Sequence, residues 1–133
     1  MIKQDLDALA QGFIDHVSQP HVWDKDMVLR ERDNSNTKWA MDKVLDITYE
    51  RPHELWDLIL EVLRRNPDDY VMSVLAAGPL EDYLVKGGED AITRVEAQAA
   101  SDSHFKHLLG GVWRNDMSES TWARVLACRG EPW

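Results

Sequence analysis

Apolar residues recur along this chain at steps of three and four, the period of a helix with one buried face. Leu6, Leu9, Ala10, Phe13, Ile14 and Val17 form the first such stripe and predict a helix over residues 4–17, stopped by Pro20. Residues 18–37 are charged and turn-rich around Trp23, Met27, Val28 and Leu29; a short helix at 24–31 and a loop through Asp33-Asn34-Ser35-Asn36 are expected there. Asn36 or Thr37 can cap a second long helix reaching about Tyr49, with Trp39, Ala40, Lys43, Val44 and Ile47 inward. Pro52 suits the first turn of the next helix, where a missing N–H costs nothing. Leu55, Trp56, Leu58, Ile59, Val62 and Leu63 give that helix a broad apolar face. Asn66-Pro67 then separates it from a helix over residues 68–77.

The stretch SVLAAGPLEDYLVKGG, Ser73 to Gly88, stands at the centre. Proline inside a helix removes a hydrogen bond and crowds the preceding turn, so Pro79 reads as a break. A new helical turn over Leu80–Leu84 follows and closes at Gly87-Gly88, where one residue commonly turns left-handed. Further helices are expected over residues 89–100, around Phe105, Leu108 and Leu109, and around Trp122, Val125 and Leu126. Ser101 or Asp102 would start the second of these, Gly110-Gly111 would end it, and Ser118 would start the third. Strand alternation is nowhere sustained, and Val112-Trp113-Arg114 is too short to count. The expected fold is all-α: residues 1–133 as one compact domain of about seven short helices packed as antiparallel hairpins. No fixed repeat emerges between the halves.

Composition narrows the function classes. With 44% hydrophobic residues and six tryptophans, a chain of 133 residues can bury a core without disulfides or metal. The single cysteine, Cys128, excludes an internal disulfide and favours a reducing compartment. The opening MIKQDLDALAQGFIDHV carries acids among its apolar residues, unlike a secretory signal, and no run approaches a membrane span. A cytoplasmic location is expected. The formal net charge of −9 disfavours direct binding to nucleic acid and suits a basic protein partner, although many soluble proteins are acidic merely to stay apart.

Candidate chemistry is sparse. Glu81 and Asp82, placed by the break at a helix start, would be held ionised by the helix dipole, which suits docking or a metal better than proton donation. The ordinary reading is helix-start chemistry. Glu50, Glu54, Asp57 and Glu61 are spaced 4, 3 and 4; Pro52 interrupts them, leaving Glu54, Asp57 and Glu61 as one acidic strip or simply a solvated face. His104 and His107, like His16 and His21, lack the companions of a metal site, so no metal or cofactor is expected. No serine sits in a nucleophile elbow, Cys128 lies on an apolar helix face, and no glycine loop could cradle phosphate. Trp39, Trp56, Trp113 and Trp122 read as core, while Trp23 and Trp133 are harder to place. An aromatic outside the core can anchor a protein partner.

The strings Pro52 to Trp56, LAAGPLEDYL (Leu75–Leu84) and Phe105 to Trp113, with a further tryptophan at Trp122, resemble a family of small uncharacterised bacterial proteins. Its core pattern is a Pro-x-x-x-Trp helix, then LAAGPLEDLL, then a phenylalanine helix running into GGVW. The likeness covers about residues 39–125, with Tyr83 where leucine is usual. It implies an intracellular, mainly helical bacterial protein and brings no activity or catalytic residue.

Together these features favour a protein-binding module, concretely an immunity or antitoxin-type protein that neutralises a basic toxin by occlusion. Glu54, Asp57, Glu61, Glu81 and Asp82 are the expected contacts, with Trp23 as anchor. One alternative is a helical scaffold that takes a partner helix or peptide in an apolar groove. The other is a small metal-dependent enzyme built on Glu81 and Asp82.

Overall fold

A computed structural model describes residues 2–19, 22–23, 29–30 and 36–133. The fold is all-α. Helices α1 (Lys3–Val17), α2 (Lys38–Glu50) and α3 (Leu55–Arg64) pack on one another; a 3-10 turn, Pro52–Glu54, joins the last two. Helices α6 (Gly88–Ser101), α7 (Ser103–Leu109) and α8 (Glu119–Cys128) form a second group in which α6 touches both others. Between the groups run α4 (Asp69–Leu75) and α5 (Glu81–Lys86), joined through residues 76–80, which contact α3 and α7. One apolar core extends from Leu9 to Val125.

Side chains set several of the helix starts as their types dictate. Asp68, Asp102 and Ser118 each accept free backbone N–H groups in the first turns of α4, α7 and α8. Thr37 precedes α2 without capping it; its hydroxyl instead meets His16 Nδ1 at 3.0 Å and Gln19 Nε2 at 3.2 Å. That contact ties the end of α1 to the start of α2. Most of the short helix expected at 24–31 lies outside the described residues, but Leu29-Arg30 is extended. It pairs antiparallel with Val22-Trp23 as β2 and β1, a ladder two residues long. Two β-branched or aromatic residues in extended conformation were too short a signal to register as a strand.

The central joint departs from expectation. Pro79 does not break the helix: residues Ala76–Leu80 form a π-helical turn that carries α4 directly into α5. The Glu81 N–H reaches back five residues to the Ala76 carbonyl. Widening the turn makes room for the proline ring beside a carbonyl it would otherwise strike, and the absent N–H is bypassed. The expected end is present, with Gly87 closing α5 and Gly88 left-handed at φ +62°.

Gly110-Gly111 ends α7 for a different reason. Both residues face the C-terminal tail. A Cβ on Gly110 would strike the Glu131 carbonyl oxygen, and one on Gly111 would stand 2.7 Å from the Trp133 ring. Trp133 donates its indole N–H to the His107 carbonyl and stacks on the His107 ring at 5.2 Å. Trp133 thus folds back onto the domain. Gly111→Ala is expected to cost about 1 kcal/mol, the low end for overpacking, because a partly exposed ring can yield. In a Trp133→Ala background the same change should cost nothing measurable by thermal unfolding.

Candidate functional site

The strings that carried the resemblance meet inside the fold. Trp56 of α3 stacks on Tyr83 of α5 at 5.4 Å and meets Phe105 of α7 edge-on at 5.5 Å. Glu81, two residues past Pro79, accepts the Trp113 backbone N–H at Oε2, 3.2 Å away. A carboxylate of the LAAGPLED string thus pins the loop that carries GGVW. Val112 and Met117 are buried at either side of that loop, and Trp113 between them stands 73% exposed.

These contacts correct the reading of Glu81. Because the helix runs on through Pro79, Glu81 is in a helix interior rather than at an N-terminus, and it is only 5% exposed. Burial raises its carboxyl above the ordinary 4.5, against the opposing hydrogen bonds from Trp113 and Asn115. Asp82 is half-buried, and burial raises it too, countered by Lys86. Helix-start ionisation of this pair does not hold.

The acidic strip is largely neutralised by arginines. Glu54 lies in the 3-10 turn and accepts Arg51 Nε at 2.5 Å; that hydrogen bond holds its carboxyl below the ordinary range. Glu61 takes Arg64 in a two-pronged contact at 2.5 and 3.1 Å and Arg65 at 3.2 Å, and the Arg64 bond lowers it likewise. Asp57 between them is exposed and makes no ion pair with a described residue. On the far side of the fold, Arg124 of α8 holds Glu89 and Glu96 of α6 at 2.7 and 2.6 Å. The side chain of Trp23 lies outside the described residues.

A cleft of about 670 Å³ opens between α1, α2 and the 3-10 turn. Asp5, Ala8 and Leu9 line it from α1; Trp39, Asp42, Lys43 and Asp46 from α2; Arg51 and Glu54 from the turn. Trp39, Asp42, Lys43 and Asp46 stand at positions i, i+3, i+4 and i+7, so they share one helix face. The glycine at Gly12 creates the arrangement. A Cβ there would meet the Ala40 Cβ at 2.8 Å and the Trp39 ring at 2.9 Å, so its absence lets α1 and α2 close and seats one edge of the indole. Trp39 as a whole is nevertheless 49% exposed, where the helix pattern places it in the core. Asp42 is paired with Lys38 and Glu54 with Arg51, while Asp5 and Asp46 make no ion pair with a described residue.

A family model, DUF6869, described as a family of unknown function, matches residues 27–132. The chain belongs to this family. No curated protein and no solved structure matches it. The DUF6869 match takes in α2 and the 3-10 turn, hence most of the cleft lining, together with the Trp56–Tyr83–Phe105 cluster and the Glu81–Trp113 contact. Asp5, Ala8 and Leu9 lie ahead of the matched span.

The histidines and the cysteine weighed in the sequence make local contacts. His107 carries Trp133, and His16 contacts Thr37. Cys128 is half-buried, with its thiol raised chiefly by burial, the opposite of an activated nucleophile. Among the described residues, no three of His, Cys, Asp and Glu are grouped to hold a metal ion. No helix among them is long and apolar enough to cross a membrane.

Sequence reasoning passed over Asp5, Asp42, Asp46 and Arg51. The three aspartates are ordinary solvated charges on their own helices, Arg51 is a cap residue after α2, and only the approach at Gly12 brings them around an aromatic wall.

Proposed function

We propose that this protein is a cytoplasmic binding module that neutralises a basic protein, in the manner of an immunity protein or antitoxin, by covering its working surface. One observation carries the reading: the α1–α2 cleft sets four carboxylates against two cations around a half-exposed tryptophan. An acidic rim on a protein of net charge −9 speeds encounter with a basic partner, and an exposed aromatic supplies the apolar contact that retains it. Glu54 is the member of the expected contact set that lies in this cleft. Binding by occlusion requires no chemistry from the chain.

The test is affinity capture from the host's lysate by the tagged full chain, washed in steps of rising salt, with the retained protein identified and co-expressed. A basic protein held at low salt, released at high salt and made harmless to its host by co-expression supports the reading. Asp5→Asn together with Asp46→Asn is expected to slow its association several-fold at low salt and to have little effect at high salt. A partner that survives high salt and ignores both substitutions would replace this reading with docking in an apolar groove.

A further inference from the structure

We infer that the α1–α2 cleft is a receptor for an arginine side chain of the basic partner, laid flat against Trp39; this rests on the binding-module reading and names what the module grips. The cleft combines the two things a guanidinium needs. Its apolar lining is Ala8, Leu9 and the wall formed by the exposed part of Trp39, and the exposed Asp5 and Asp46 line it without ion pairs to described residues. A planar, delocalised cation stacks on an indole face and offers a fork of N–H donors to carboxylates; a lysine ammonium is compact and strongly hydrated and gains less from either surface.

The wall is already in position. The notch at Gly12 seats the indole edge against α1, which holds part of the ring in place ahead of binding. Of the two cations that line the cleft, Arg51 is engaged: Glu54 holds it at 2.5 Å and Glu50 lies 3.5 Å away. Lys43, the other lining cation, is exposed on the same helix face as Trp39. Trp113, though more exposed, has nothing around it to say what would cover it.

The experiment is a nuclear magnetic resonance titration of the full chain with Nα-acetyl-arginine amide and, separately, Nα-acetyl-lysine amide, following the tryptophan indole N–H signals. The Trp39 signal is expected to move and saturate with the arginine probe at a concentration about three- to fivefold lower than with lysine. Trp39→Ala should abolish the arginine preference, and Asp5→Asn with Asp46→Asn should weaken both probes. The two aspartates line the rim rather than the core, so the second variant tests the idea even where the first perturbs packing. Equal responses to the two probes, or a Trp39 signal that does not move, would overturn the arginine assignment. Salt-sensitive capture of a basic partner would then still stand by itself. Loss of that capture with the arginine preference intact would overturn the neutralising function and leave the receptor.

Discussion

Phe105→Ala is expected to lower the free energy of unfolding by about 3–5 kcal/mol, the usual cost of emptying a phenylalanine site. Phe105 is fully buried on α7, where it closes the cluster with Trp56 and Tyr83 that ties the two helical groups through α5. The loss combines three parts: apolar area returned to water, a cavity that the surrounding helices fill only in part, and the edge-on contact with Trp56 at 5.5 Å. Against a domain stability of about 5–15 kcal/mol, that is enough to leave much of the variant unfolded at the lower end. Phe105→Leu keeps most of the volume and should cost about 1.5 kcal/mol or less. The check is the urea midpoint at unchanged m-value. An alanine variant within about 1 kcal/mol of the parent would mean the cluster is not the joint between the groups.

The helices were legible because burial leaves a period in the chain. Leu55 through Leu63 buries six residues on one face, as its pattern requires, and Asp102 and Ser118 cap where their chemistry suits them. What failed was the reading of positions at the border of a stripe. Trp39 and Lys43 each sit one residue before a buried one, Ala40 and Val44, hence about 100° around the helix from it. An apolar side chain at such a border goes in or out according to the neighbour, and here the neighbour is Gly12. Pro79 failed for a related reason. A proline in a helix has two outcomes, a break or a widened turn, and local sequence alone does not choose between them. The packing of residues 76–80 against α3 and α7 does.

The candidate site was less legible than the fold. Its acids are dispersed between Asp5 and Glu54, and Asp5, Asp42 and Asp46 do not stand out from the other carboxylates of a chain with 24 of them. The acids that did stand out, Glu54 and Glu61, did so through helical spacing, and the same spacing puts arginines within reach of them. Their charges are balanced locally, while Asp5 and Asp46 have no such partner among the described residues.

Glu81 allows a prediction in which pH and mutation separate two roles of one side chain. Glu81→Ala is expected to cost about 1–3 kcal/mol, because the Trp113 N–H loses its acceptor and Asn115 loses a partner. Glu81→Gln keeps an acceptor in place and removes the charge. Burial raises the Glu81 carboxyl in the folded chain above its unfolded value of 4.5, so the folded state holds the proton more tightly than the unfolded one. The stability from that difference is fully present below the unfolded value and is lost as pH rises through the folded value. Glu54 and Glu61 have lowered values, and their contributions vary only below the ordinary carboxylate range. As pH rises through the folded Glu81 value the parent should therefore lose stability, with Asp82 adding to the fall in the same direction. Glu81→Gln should flatten most of that slope, as measured by urea unfolding at several pH values. A Gln variant as unstable as Ala at every pH would show that the ionised carboxylate is required. The loop that presents Trp113 would then be held by a charge whose burial the fold tolerates for the sake of that contact.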